Sequence, residues 1–180
     1  RLILRRFEDR DIEPFATYRS DPDVARYQSW EAPYTIVQSA LFVETMNRSA
    51  FAVPGEWYQI AVELKRTGYL IGDCAFCISK DDGQQAEIGC TFDQGFQRKG
   101  LATEAVKRLL EILFDEFGLH RVHAFCDVRN TASFHLLERL GFRREAHFIE
   151  SYWSKGAWTS EYSYALLASE WKAQSNINPV

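Results

Sequence analysis

The sequence feature that most constrains the fold is a glycine-containing turn between an extended segment and a long amphipathic helix. The turn ends in Gln97-Arg98-Lys99-Gly100-Leu101-Ala102. Residues Ala86 to Phe92 before it are typical of a strand, and apolar side chains recur at helical spacing from Leu101 to Phe117. The first N–H groups of such a helix have no partner within it, and the helix dipole favours an anion there. The pattern therefore predicts a phosphate-binding turn.

Composition supports a local anion site rather than a generally basic surface. Gly100 has no Cβ, so a phosphate can approach the backbone closely, and Arg98 and Lys99 add positive charge. The whole chain, however, carries a formal net charge of −4. That balance gives no general attraction to nucleic acid or to an anionic membrane, so we expect neither as a partner.

The order of the predicted elements indicates one mixed sheet. Short turns at Thr67-Gly68 and Asp81-Asp82-Gly83 favour antiparallel neighbours, whereas the helix from Leu101 favours a parallel crossover. The predicted strands are Leu2 to Arg6, Trp57 to Lys65, Tyr69 to Ser79, Ala86 to Phe92, Arg121 to Val128, Phe142 to Ile149 and Thr159 to Leu166. Helices are predicted over Asp11 to Arg19, Ile36 to Arg48 and Leu101 to Phe117, and from a cap at Asn130 to Gly141.

Length and composition predict a single enzyme-sized domain. A chain of 180 residues that is 46% hydrophobic can bury roughly 70% of its unfolded surface. We expect one domain over residues 1–172 and a polar, mobile tail over 173–180. No apolar run approaches the roughly 20 residues that span a bilayer, and the first residues do not resemble a secretory signal, so the expected location is the cytoplasm. The four cysteines lie in strand-like segments and are expected to be reduced thiols, with no metal.

Several motifs together resemble one protein family. Residues 97–102 fit the Gln/Arg-x-x-Gly-x-Gly/Ala signature of the GNAT superfamily of acyl-CoA-dependent N-acetyltransferases. Asn130-Thr131-Ala132-Ser133, followed by Leu140-Gly141-Phe142, is similar to the family's second cofactor segment, in the Asn-x-x-Ser form of the RimJ/RimL-type branch. Further matches at the two ends of the chain are Trp30, Pro33-Tyr34, Gly156-Ala157-Trp158 and Glu170-Trp171. The resemblance covers essentially the whole chain.

This resemblance implies a fold and an activity. The fold is α/β (α+β), a GNAT-like mixed and mostly antiparallel central sheet of about seven strands with helices on both faces. The activity is the transfer of an acetyl group from acetyl-CoA to a primary amine by direct attack in a ternary complex, without a metal. The acceptor is a protein N-terminal amine or a small amine, and the protein is a monomer or a homodimer.

The resemblance also implies which residues bind the cofactor. The coenzyme A pyrophosphate is expected on backbone N–H groups of Arg98 to Ala102, with a hydroxyl from Thr103. The pantetheine arm is expected along the strand that ends at Phe92, so the strands flanking the turn must part, and an N–H near Phe92 is expected to stabilise the oxyanion. The expected cofactor-binding residues are Phe92, Gln97, Arg98, Lys99, Gly100, Leu101, Ala102, Thr103, Asn130 and Ser133.

Catalysis needs a base, because an amine with a lysine-like pKa is mostly an unreactive ammonium at neutral pH. Glu87 is one candidate; the alternative for it is an ordinary solvated strand carboxylate. Glu150 is a second, at the end of the strand after Gly141, although an ungapped match places Tyr152 at that position.

The leaving thiolate also needs a hydrogen-bond donor. Many family members have a tyrosine where this chain has Leu137, and the branch pattern assigns the role to Ser133. Helix capping is the structural alternative for Asn130 and Ser133.

Two other functions are alternatives to the enzyme. A catalytically silent acyl-CoA-binding sensor would keep the fold and lose the chemistry. A kinase or GTPase phosphate loop is disfavoured, because Lys99 precedes Gly100 and no Gly-x-x-x-x-Gly-Lys-Ser/Thr occurs. The four histidines (His120, His123, His135 and His147) lack ligand spacing and are expected to be surface or satisfied core residues.

Overall fold

The structure, a computed structural model, describes the backbone of residues 1–177 and the side chains of residues 1–174. Its strands are β1 (Leu2–Arg5), β2 (Trp57–Leu64), β3 (Tyr69–Ile78), β4 (Gln85–Phe92), β5 (Arg121–Asp127), β6 (Arg143–Ser154) and β7 (Ala157–Leu167). Its α-helices are α1 (Ile12–Arg19), α2 (Pro22–Ala25), α3 (Ile36–Arg48), α4 (Leu101–Glu111), α5 (Thr131–Arg139) and α6 (Ala168–Ile177).

The seven strands form one sheet in the order β1-β2-β3-β4-β5-β7-β6. β4 and β5 are parallel, and the other neighbouring pairs are antiparallel. The crossover through α4 explains the parallel pair, because a helix that returns the chain over one face brings the next strand in with the same direction. The predicted fold class, a mixed and mostly antiparallel α/β sheet, is confirmed.

Helices cover the sheet on both faces and define two apolar clusters. On one face, Leu109, Leu110 and Leu113 pack against Ile88 and Val122 of the central strands. On the other face, a smaller cluster forms where Phe15 of α1 and Val43 of α3 meet the first strands. The larger cluster fixes α4, and with it the turn that begins this helix, against β4 and β5.

Three predicted boundaries differ from the structure. The helix predicted to Phe117 ends as an α-helix at Glu111 and continues as a π turn over Ile112–Glu116. Strand β6 runs to Ser154 rather than Ile149, and almost all of it is exposed, so hydrophobic alternation gave no signal for its second half. Residues 173–177 of the predicted tail belong to α6, whose Trp171 stacks on Phe114 at 5.9 Å. Residues 178–180 lie outside the described part.

Within the described residues, no helix has the length and apolar character needed to cross a membrane. The same residues contain no group of three or more His, Cys, Asp or Glu side chains arranged to hold a metal ion.

Candidate active site

The central feature of the site is an opening between the two parallel strands. Three residue pairs join them, and the last is Glu87 with His123. Beyond this pair β4 continues to Phe92 and β5 to Asp127, without further pairing between the two in the part of the chain that the structure describes. The strands therefore diverge toward the end of β4, which agrees with the expectation that they must part.

The backbone of β4 presents hydrogen-bonding groups to this opening. Asp93 N donates to Ile71 O on the β3 side, at 3.0 Å. Since successive strand residues point their N–H groups to opposite edges, the amide of Phe92 faces the opening. An N–H at this point is suited to stabilise an oxyanion.

The predicted phosphate-binding turn lies directly beyond the open end of the strands. Gly100 caps α4 in the left-handed conformation, with φ of +73°. Arg98 also has a positive φ, +58°, which is uncommon for a residue with a side chain. Glu104 N makes a helical bond to Gly100 O at 3.2 Å, so the amides of Leu101, Ala102 and Thr103 precede it in the first turn. This geometry fits a pyrophosphate.

Side chains of the turn mostly brace the turn itself. Gln97 Nε2 donates to Phe92 O at 2.9 Å and so ties the turn to the end of β4. Lys99 Nζ donates to Gly95 O at 2.6 Å, so its ammonium is folded back onto the preceding loop. Gln97, the first residue of the signature, therefore has a structural role in addition to any contact with a ligand.

Two arginines beside the turn were not found by sequence reasoning. Arg1 Nη1 donates to Lys99 O at 3.1 Å, and Arg139 Nη1 donates to Thr103 Oγ1 at 3.3 Å. Arg1 directly precedes β1 and Arg139 ends α5, and they lie 98 and 36 residues in sequence from the residues that they contact. No local pattern carries this signal, because the contacts depend on how the helices and β1 are placed around the sheet. Arg139 adds positive charge to the predicted phosphate site, whereas the Arg1 guanidinium is paired with Glu104 of α4 at 2.7 Å.

The second cofactor segment begins α5 as predicted. Asn130 is its N-cap, and its Oδ1 accepts from Ser133 N at 3.2 Å, so the capping role is present. The Ser133 side chain lies near the Cys126 thiol of β5. Burial raises the pKa of that thiol to about 11, so Cys126 is a neutral neighbour.

Glu87 lies at the narrow end of the opening, on the sheet face opposite α4. Burial, followed by the negative charge of Glu161 on β7, raises the pKa of Glu87. Burial, followed by the charge of Asp127, likewise raises the pKa of Glu161. Register places Glu161 opposite Asp127 and Glu87 opposite His123, so all four share one face. The structure thus assembles an acidic surface from three strands.

The second candidate base lies elsewhere. Glu150 is exposed on β6, the outermost strand, and is separated from β4 by β5 and β7. Its φ is +47° and its N–H donates to Ser160 Oγ at 2.9 Å, within a bulge that precedes Tyr152. The structure therefore does not bring Glu150 to Glu87. Leu137, at the position of the family tyrosine, is buried in α5.

His123 was expected to be a surface residue or a core residue with its hydrogen bonds satisfied, and the structure shows neither. Its Nε2 lies 3.9 Å from Glu87 Oε2. Its Nδ1 is buried and has no hydrogen-bond partner. No local sequence pattern indicates this pair, because it depends on the register between β4 and β5.

The wall next to the opening contains a buried polar network. Asp73 on β3 accepts from Tyr18 Oη at 2.5 Å and lies 3.7 Å from Arg19 Nη2. The Arg19 guanidinium carbon lies 3.9 Å from the centre of the Trp30 ring and 5.3 Å from that of Tyr34. These two aromatic residues, which are among the matches to the family, therefore pack around a cation of the protein itself.

The β6–β7 hairpin reaches the same wall. At its tip, Lys155 Nζ donates to Ala25 O at 2.9 Å and to Trp30 O at 2.7 Å. The same ammonium lies 3.5 Å from Glu31 Oε2. One side chain thus joins the last hairpin to the loop after α2.

The family is shown by a model described as "Acetyltransferase (GNAT) domain", which matches residues 1–143. The chain is 34% identical over 172 residues to Uncharacterized N-acetyltransferase YnaD of Bacillus subtilis, covering 95% of this chain and 96% of that protein. A crystal structure of a GNAT-family acetyltransferase from Bacillus anthracis is 34% identical, with a TM-score of 0.83 over 94% of this chain and 96% of that one. This protein belongs to the GNAT family and is an acetyltransferase enzyme.

A more distant structure shares the fold. Spermidine N-acetyltransferase from Vibrio cholerae, solved in complex with CoA and spermine, is 22% identical with a TM-score of 0.79, and the match covers 95% of this chain and 98% of that one. GNAT acetyltransferases use acetyl-CoA, and the left-handed Gly100 turn, the free first turn of α4 and the open edge of β4 fit that group.

Proposed function

We propose that this enzyme is a RimJ/RimL-type N-acetyltransferase that acetylates a primary amine by direct attack in a ternary complex. The observation that carries the proposal is the opening between β4 and β5, which leads from the phosphate-binding turn to Glu87. Acetyl-CoA supplies an electrophilic thioester when bound. The Asn130–Ser133 segment at the start of α5 supports the branch assignment.

In this proposal Glu87 is the base and acts directly or through one water. The acceptor enters as an ammonium and loses two protons over the reaction: Glu87 accepts one and passes it to solvent, and the second ends on the coenzyme A sulfur. The Phe92 amide stabilises the developing oxyanion, and the Ser133 hydroxyl donates to the sulfur as negative charge builds there. Burial, followed by the charge of Glu161, raises the pKa of Glu87 and so makes its carboxylate a better proton acceptor.

The acidic surface supports a cationic acceptor. Glu87 and Glu161 lie on the face that the acceptor must approach, and their negative charges favour an ammonium-bearing molecule. Asp127 lies on the same face, and its carboxylate is paired with Arg129 at 2.6 Å. We propose a small polycationic amine as the acceptor and keep a protein N-terminal amine as the second candidate.

A thiol-release assay tests the proposal. The protein is incubated with acetyl-CoA and, in turn, with polyamines, other small amines and N-terminal peptides. We expect acceptor-dependent release of coenzyme A, fastest with a polyamine, and an acetylated amine in the product by mass spectrometry. Incubation without acceptor should leave the protein unacetylated, because attack is direct. Release with none of the amines, or a stable acetyl-protein, would contradict the proposal.

A further inference from the structure

Glu87 and His123 form a pair at the point where the sheet opens. They are the last residues that join β4 to β5, so their backbones are fixed on both strands. Their side chains are partly exposed, 37% for Glu87 and 24% for His123. The ring of His123 is further held edge-on against Phe125, with 5.8 Å between ring centres. The pair is therefore well placed and reachable from the opening.

The buried nitrogen of His123 indicates which tautomer is present. A proton on Nδ1 would be a buried N–H donor without an acceptor, a costly and rare arrangement, whereas an unpaired lone pair there is better tolerated. The neutral ring therefore carries its proton on Nε2, which is the nitrogen that faces Glu87. A cationic ring would place a proton on both nitrogens, so the same burial disfavours it.

We infer that His123 is a positioning residue, which as the neutral Nε2–H tautomer donates to the Glu87 carboxylate and holds it ionised and directed into the opening. The inference rests on the proposed role of Glu87 as base. At 3.9 Å the two atoms are separated by slightly more than a hydrogen bond. One water, or the closer approach that accompanies substrate binding, completes the contact.

The surrounding charges make such a donor useful. Burial and Glu161 both favour the protonated form of Glu87 and raise its pKa. Burial lowers the pKa of His123, and Arg121 lowers it further, against the opposing effect of Glu145. Burial and Arg121 therefore favour the neutral form of His123, which is the form that keeps the Nε2–H donor. The titratable and charged groups facing the pair are Cys77 on β3, Arg121 on β5, Glu145 on β6, and Glu161 on β7.

Nuclear magnetic resonance on the unmodified protein gives the first test. Nitrogen-15 shifts of the His123 ring at neutral pH should show Nε2 protonated and Nδ1 unprotonated. A proton on Nδ1, or an imidazolium, would overturn the inference without any variant being made.

Two substitutions at position 123 give the second test. His123→Leu removes the donor, so the carbon-13 titration of the Glu87 carboxyl should move to higher pH; His123→Gln retains an N–H donor and should stay near the parent. His135→Leu is the matched control, because His135 lies 3.5 Å from Glu138 on the exposed surface of α5. An unchanged Glu87 titration in folded His123→Leu would refute the role.

Kinetics then separate this inference from the proposed function. His123→Leu should lower kcat/KM at neutral pH by about tenfold, with the loss shrinking as pH rises and with acetyl-CoA affinity unchanged. If the parent acetylates no amine, the proposed function fails while the resonance results still decide the pairing. If the parent is active and the pH profile of His123→Leu is unshifted, only the inference about His123 fails.

Discussion

The two edges of strand β4 have opposite structures. Toward β3 the strand forms seven consecutive antiparallel pairs, from Ala86 with Ile78 to Phe92 with Gly72. Toward β5 it forms three parallel pairs and then separates. Strand β4 is thus a continuous ladder along the edge that faces β3, and beyond Glu87 it is an open row of backbone groups along the edge that faces β5.

The edge of β4 that pairs with β3, here called the closed edge, holds in place the edge that faces the opening, here called the open edge. An amide can stabilise a developing charge only if it is held in place before the reaction, and the β3 ladder holds the β4 backbone. The buried network that joins Asp73 of β3 to Tyr18 and Arg19 of α1 further stabilises β3. We therefore expect substitutions at the open edge to change the chemistry with little loss of stability, and substitutions at the closed edge to do the reverse.

The largest effect is expected for Glu87→Gln at the open edge. Removing the base should lower turnover at neutral pH by roughly a hundredfold, equivalent to about 2.7 kcal/mol. The loss should shrink at high pH, where the free amine is abundant, and acetyl-CoA affinity measured by calorimetry should hold. Because protonation of Glu87 removes the base, the parent should lose activity as pH falls through the raised pKa of Glu87, and the variant should lack that transition.

Glu150→Gln distinguishes the two carboxylates. Glu150 lies on the outermost strand, so its substitution should leave turnover close to that of the parent. A large loss of turnover in Glu150→Gln, with no loss in Glu87→Gln, would indicate that the base is Glu150 on β6.

The next effect is expected at the closed edge, for Gly72→Ala. A Cβ there would lie 2.3 Å from the carbonyl oxygen of Thr91 and 3.0 Å from Phe92 Cα, so the β3–β4 ladder must shift. We expect a loss of about 2 kcal/mol in the free energy of unfolding, or a fall in Tm of roughly 4–8 °C. Gly89→Ala is the matched control, since its Cβ would meet nothing within 4 Å. Equal Tm values for the two variants would contradict the comparison of edges.

A smaller effect is expected for Ser133→Ala, at the start of α5. If the hydroxyl stabilises the leaving sulfur, turnover should fall by about tenfold, or about 1.4 kcal/mol, with little change in acetyl-CoA affinity. The Asn130 cap bonds the Ser133 backbone N–H, which alanine retains, so Tm should change little. A lower Tm with intact turnover would return Ser133 to a purely structural role.

The smallest effect is expected for Gly100→Val in the phosphate-binding turn. A β-branched residue at φ of +73° is strained, so the turn should relax and acetyl-CoA affinity should fall by about fivefold, or about 1 kcal/mol. Gly83→Val carries a similar strain, at φ of +61°, in the β3–β4 turn, where a Cβ would be in open space. Calorimetry should show weaker acetyl-CoA binding only for Gly100→Val. Equal affinities of the two variants would indicate that the turn is not part of the cofactor site.

Features that depend on a few adjacent residues could be predicted from the sequence. Helix α3 has the predicted bounds, Ile36 to Arg48, because Thr35 and Gln38 form a capping box. The left-handed Gly100 and the Asn130 cap follow from local backbone chemistry in the same way. The parallel pair of strands followed from the crossover helix.

Features that depend on long-range placement could not be predicted. The pairing of Glu87 with His123 requires the register of two strands, and the contact of Arg1 with Lys99 joins residues 98 positions apart. Glu150 shows the converse: its sequence position suggested a base, but the strand order places it at the edge of the sheet. Periodicity specifies which face a side chain occupies, and it does not specify its neighbour on the next strand.

The contact made by Lys155 has an evolutionary consequence. Its ammonium satisfies the carbonyl groups of Ala25 and Trp30, so the last hairpin and an early loop share one anchoring point. Changes on either side should therefore be inherited together among relatives. A hairpin grafted from a homologue without a cation at its tip would free the early loop. Transfer of either segment between relatives should accordingly require the other segment to be transferred with it.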